Sequence, residues 1–107
     1  MSNCYELIII DIVGPYCGSR SEGDAVHKEL VQHWDEFDTI SVDFEGVEIT
    51  TLSFFNAAFT PFIFDNSVDE VQTKLSFLNI DDKDKSLLNQ SFRAAINQLN
   101  KDYASNQ

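Results

Sequence analysis

Five of the chain's nine phenylalanines fall between Ser53 and Phe64, in the stretch SFFNAAFTPFIF. Rings at that density demand deep burial on at least one side, because each phenylalanine takes about 150–250 Å² out of water when enclosed. Thr51 and Ser53 are each able to cap a helix entering the stretch, and Pro61 should kink or end that helix near Thr60, since proline lacks an N–H and crowds the preceding turn. One face of a short helix cannot bury all of this aromatic area. Phe55, Phe59 and Phe62 are therefore expected against the final helix or against another chain, and they are the candidates for partner contact or homodimer formation.

The other segments have clearer periods. Tyr5 to Val13 is almost continuously apolar and reads as a strand buried on both faces. Ser19 with Glu22, or Ser21 with Asp24, supplies a capping-box pair, after which Val26, Leu30, His33, Trp34 and Phe37 recur at helical spacing. Thr39 to Phe44 alternates as a second strand into a turn at Glu45 and Gly46. Ser67 and Glu70 cap one further short turn, and Lys74 to Ile80 alternates Leu75 and Phe77 against Ser76 and Leu78 as a third strand. A long amphipathic helix follows the acidic DDKDK, with Leu88, Phe92, Ala95, Ile96, Leu99 and Tyr103 on its apolar face. Strands separated by helices predict an α/β fold with a small, mostly parallel sheet in β-α-β-α-β-α order, one domain over 1–107 with a polar tail at 104–107 expected to be disordered.

Charge narrows the partners. Eighteen Asp and Glu against seven Lys and Arg give a net charge of −11, which opposes nucleic acid phosphates and anionic lipid and favours basic partners. The apolar run Leu7 to Ile10 is too short for a membrane span, no basic segment precedes it as in a signal peptide, and the expected location is the cytoplasm. Cys4 and Cys17 are compatible with reduced thiols there and have no metal-site spacing; Cys17, in a loop, is read as inert. His27 and His33 do not share a helix face as zinc ligands would.

The loop beginning at Gly18, GSRSEGDA, keeps the Gly-x-x-x-x-Gly frame of a phosphate loop. The frame is followed by Asp24 and Ala25 where Lys and Ser or Thr would meet phosphates and Mg²⁺, so nucleotide hydrolysis is not expected. Gly18, Arg20 and Gly23 remain candidates for a simple anion-binding loop. Counting an EF-hand from Asp81 or Asp82 places Phe92 or Arg93 where a bidentate Glu is required. No cofactor or metal is expected.

The stretch SVDFEGVEITTLSFFNAAF resembles the signature of STAS domains, the anti-sigma factor antagonist fold, and more closely a small bacterial STAS-like family. Arg20 and Gly23 correspond to the family's loop, and Asp43, Phe44 and Val47 lead to the Ser53–Phe54 pair, with order and spacing fitting over roughly residues 5 to 100. In the antagonists an Asp-Ser-Ser-Gly-Leu segment carries a serine phosphorylated by a partner kinase of the GHKL ATPase type. Ser53 falls on that serine, Thr51 on the Asp, Leu52 on the first Ser, Phe54 on the Gly and Phe55 on the Leu, so the serine alone is retained. The resemblance implies a non-enzymatic regulatory module that binds a protein partner, a GHKL-type ATPase or kinase, with Ser53 either a phosphorylation site or a plain helix cap. The alternative is a small-ligand or anion-binding domain using the Gly14 to Gly23 loop.

Overall fold

The computed structural model describes the backbone of residues 3–105 and the side chains of residues 3–101. The apolar run at the start divides: strand β1 (Cys4–Ile8) gives way to a short helix α1 (Ile9–Val13) instead of continuing to Val13. Among the described residues one face of the sheet is buried under helices and the other carries exposed side chains, so a longer strand would have carried more isoleucine onto the open face. The helical turn instead buries Ile9 and leaves Asp11 exposed. Gly14, at φ 81°, stops it, and its N–H donates to the Ile10 carbonyl at 3.0 Å.

Strand β2 (Tyr16–Cys17) leads into α2 (Arg20–His33), β3 (Thr39–Asp43) and β4 (Ile49–Thr50). Between β3 and β4 a β-turn is closed by the Val47 N–H on the Phe44 carbonyl at 3.0 Å, with Gly46 at φ 80° in the position that requires a left-handed backbone. The phenylalanine-rich stretch forms α3 (Leu52–Ala58) and α4 (Pro61–Asp65), followed by α5 (Val68–Lys74), β5 (Leu75–Leu78) and α6 (Asp82–Ser105). Pro61 separates α3 from α4 by occupying the first turn of the second, where its missing N–H costs nothing. The Ser67 hydroxyl accepts from the Glu70 N–H at 3.1 Å to start α5, and the Asp81 carboxylate accepts from the Asp84 N–H at 2.8 Å to start α6. The tail expected at 104–107 falls on the last residues of α6, whose side chains are not described, and on 106–107, which lie outside the described residues; the Tyr103 side chain lies outside them too.

The main sheet has the order β1-β3-β5 and every pair is parallel, Cys4 to Ile8 against Thr39 to Asp43 and Ile40 to Asp43 against Leu75 to Leu78. Helices connect each strand to the next, which gives the small parallel α/β architecture the periodicity predicts. Strands β2 and β4 form a separate parallel pair, Cys17 opposite Thr50, that the sequence pattern does not show. Along the main sheet Tyr5, Leu7, Ile40, Val42, Leu75 and Phe77 join the core. Among the described residues no helix is long and apolar enough to cross a membrane.

The aromatic stretch supplies the centre of that core. Phe54, Phe55 and Phe59 are fully buried and Phe62 is 4% exposed, so of the two places expected for Phe55, Phe59 and Phe62 contact with another chain is ruled out. These rings are core residues, in or next to helices α3 and α4, which both pack against α6. The rings pack on one another and on the sheet and helices. Phe54 meets Phe55 edge-on at 5.4 Å, Phe59 meets Phe77 edge-on at 5.2 Å, and Phe62 stacks on Trp34 at 4.0 Å. Edge-to-face and offset pairs of this kind add about 0.5–1.5 kcal/mol each beyond their buried area. Phe64 is the ring of the stretch left half-exposed, at 48%.

Candidate functional site

A groove of about 310 Å³ lies between α2 and α3, lined by Arg20, Asp24 and His27 from the first helix and by Ser53, Asn56 and Ala57 from the second, with Pro61 at its end. Helical spacing explains the set: positions 20, 24 and 27 share one face of α2, and 53, 56 and 57 share one face of α3. The two helices come close because of Gly23. A Cβ built there would sit 2.5 Å from the Phe54 carbonyl oxygen and 2.7 Å from the Ala57 Cβ. Gly23 is thus a buried contact point between helices, not a member of an anion loop.

Thr51, not Ser53, caps α3. Its hydroxyl accepts from the Phe54 N–H at 3.2 Å, while Ser53 lies within the first turn with its side chain exposed. The reading of Ser53 as a plain cap is thereby corrected. Thr51 is the residue preceding the helix, in extended backbone that lets its oxygen fold over the first turn, whereas Ser53 already has helical backbone and cannot.

Around Ser53 the groove is polar and mixed in charge. The Arg20 side chain is 83% exposed, with its Nε 4.0 Å from the Asp24 carboxylate. The His27 Nδ1 donates to the Ala58 carbonyl at 3.2 Å, which fixes the tautomer with Nε2 as the remaining acceptor. That hydrogen bond goes to a main-chain carbonyl and not to a carboxylate, so His27 is not held as the base of a Ser-His-Asp arrangement. Asn56 is tied to the last helix: its Oδ1 accepts from the Ser91 hydroxyl at 2.5 Å, and its amide N–H₂ remains as a donor. The groove offers donors, acceptors and a free hydroxyl on two closely packed helices, an arrangement suited to recognition.

The loop before α2 gives an anion no comparable place. Ser19 precedes the helix and its hydroxyl donates to the Glu22 carboxylate, which holds that carboxyl below its ordinary range, with the backbone amides of Glu22, Gly18 and Ser19 assisting. An incoming anion would meet a carboxylate already resting on these amides. Of the three residues expected there, Gly18 lies beside Glu22, Arg20 lines the groove and Gly23 is buried under α3. The sequence reading missed Asn56, His27 and Asp24 as neighbours of Ser53. The 20/24/27 and 53/56/57 spacings would have flagged two exposed helix faces, but not that they meet.

Among the described residues no group of three His, Cys, Asp or Glu side chains is placed to hold a metal ion. No curated protein and no solved structure matches the chain significantly. A family model described as a STAS-like domain of unknown function matches residues 22–85, from the first turn of α2 through β5 to the start of α6. The match is narrower than the span from 5 to 100 expected from the motifs; it includes Ser53, Asn56 and Gly23 and leaves Arg20 just outside. A domain of that kind points, at the coarsest level, to regulation through protein binding. With more than half of its length matched and a parallel α/β sheet in place, the chain belongs to the STAS-like domain family.

Proposed function

We propose that this chain is a non-enzymatic regulatory module that docks a protein partner on the α2–α3 groove, and that phosphorylation of Ser53 weakens the docking. The observation that carries the reading is the division of labour at the start of α3: Thr51 caps the helix, which leaves the exposed Ser53 hydroxyl free to face a partner. A phosphate at Ser53 would bring close to two negative charges into a groove that already holds Asp24, within a chain of net charge −11. Arg20 would be drawn from Asp24 toward the phosphate, removing the groove's one guanidinium from whatever acceptor the partner offers. The resemblance of the Ser53 segment to the antagonist phosphorylation site makes a GHKL-type ATPase or kinase the partner to test first, in the cytoplasm of a bacterium.

The test measures stability and affinity on the same variants. Thr51→Ala should lose about 1 kcal/mol of folding stability, and Ser53→Ala and Ser53→Asp should each stay within about 0.5 kcal/mol of wild type. Against a GHKL-type ATPase domain from the same genome, calorimetry should show Ser53→Ala binding like wild type and Ser53→Asp binding at least about tenfold more weakly. Incubation of the pair with ATP should add one phosphate at Ser53 by mass spectrometry. Equal affinity for all three folded proteins would sink the switch.

A further inference from the structure

Among the described residues, helices pack on one face of the main sheet, the face of Leu7, Ile40, Val42 and Leu75. Parallel sheets are ordinarily covered on both, because their connections place helices above and below. Here the alternate residues of each strand, those not committed to the core, form three rows across the sheet. Glu6, Ser41 and Ser76 make the middle row, and Ile8, Asp43 and Leu78 make the row beyond it. Glu6, Ser76 and Leu78 are exposed, Ile8 and Ser41 are partly buried, and Asp43 is buried.

The chemistry of the face selects what would fit it. The Ser41 and Ser76 hydroxyls lie 3.3 Å apart and Ser41 is 3.5 Å from the Cys4 sulfur, so the centre is a strip of short side chains that lets another backbone come close. Leu78, 43% exposed, gives one side an apolar edge. Glu6 is the exposed charge of the face, Asp43 is acidic but only 8% exposed, and none of β1, β3 or β5 contains a Lys or Arg. Asp43 keeps its charge through bonds from the Asn79 amide and the Glu45 N–H, both at 2.9 Å. Three strands spaced about 4.8 Å apart present a strip close in width to one α-helix, about 10–12 Å. A second copy is a poor occupant, since twofold pairing would bring two copies of a face whose exposed charge is Glu6 together, with no Lys or Arg from the strands to offset it.

We propose that the open face of the β1-β3-β5 sheet is a second docking surface, which receives one amphipathic α-helix of a partner protein with lysine or arginine flanking its apolar stripe. It lies on the side of the sheet away from the helices that carry Ser53, so it stands or falls apart from the groove. The probe is a helical peptide of about 18 residues built from Leu and Lys, with a Leu/Glu peptide of the same pattern as control. Titrated into ¹⁵N-labelled full-length chain at about 0.1 M salt, the basic peptide should shift amides at Glu6, Ser41, Ser76 and Leu78, and the acidic peptide should not. Glu6→Lys should weaken the basic peptide about tenfold and Glu6→Gln by less, while Asp35→Lys, the same charge change on the helical side, should leave it within about twofold. Shifts spread over the helices, or equal weakening by Asp35→Lys, would show general attraction to an acidic protein and overturn the proposal. So would sedimentation showing a dimer in which these amides are already protected.

Discussion

Cys17 is fully buried opposite Thr50, and burial, with Glu22 and Asp84 adding negative charge nearby, pushes its thiol up to about 11. Cys4 sits at the exposed start of β1, where hydrogen bonds with the Thr39 and Ser41 side chains pull its thiol below the ordinary value. Thiolate character and access control alkylation, so the two differ in both respects. At pH 8 a maleimide should label one thiol of the native chain quickly, Cys4→Ser should abolish that phase, and Cys17 should react only in denaturant. Labelling of Cys17 on the same time scale in the folded protein would contradict its placement. The raised Cys17 value also has a sign: its contribution is complete below the ordinary 9.0 and is lost as pH rises toward 11, because the unfolded thiol ionises first.

Between elements, the contact of α2 with α3 turns on Gly23. Gly23→Ala gains about 1 kcal/mol of helix propensity, yet the new Cβ would press on the Phe54 carbonyl and the Ala58 nitrogen, which are backbone and cannot rotate away. The expected result is a net loss of about 1–2 kcal/mol in a denaturant melt, with a weakened Ser53 groove; an unchanged or raised midpoint would mean that the helices part at no cost. In the sequence Gly23 reads as part of a loop, because nothing local records which helix lies across from it. Elements with a period were legible: α2 and α6 from their apolar stripes, β3 and β5 from alternation. The end of β1 was not, since an unbroken Ile run reads alike as strand or helix and its length depends on which sheet face is covered. Strands β2 and β4, two residues each, are too short to carry a period. Ser53 was found through its motif, whereas its partners Asn56 and His27 required the packing angle of two helices.

For the whole molecule the dominant electrostatic fact is an excess of eleven negative charges at neutral pH. Exposed pairs such as Arg20 with Asp24, at 4.0 Å, offset little of it. The folded chain gathers these carboxylates into a smaller volume than the unfolded one, so repulsion among them opposes folding and screening should relieve it. Raising NaCl from about 0.01 to 0.15 M shortens the screening length from roughly 30 to 8 Å and should raise the melting temperature at pH 7 by about 4 °C. Near pH 4.2, where the sequence carries no net charge, the same salt step should leave it almost unchanged. Asp43 serves as an internal check, because the Asn79 amide and the Glu45 N–H hold its carboxyl below the ordinary 3.8. Its contribution is therefore still present at pH 4.2 and is lost only as pH falls further, through the folded value. Asp43→Asn should accordingly leave the salt response at pH 7 nearly intact while flattening the acid limb of stability below pH 4. A fall in melting temperature with salt at pH 7, or an equal rise at pH 4.2, would show that the acidic surface is not what limits this fold.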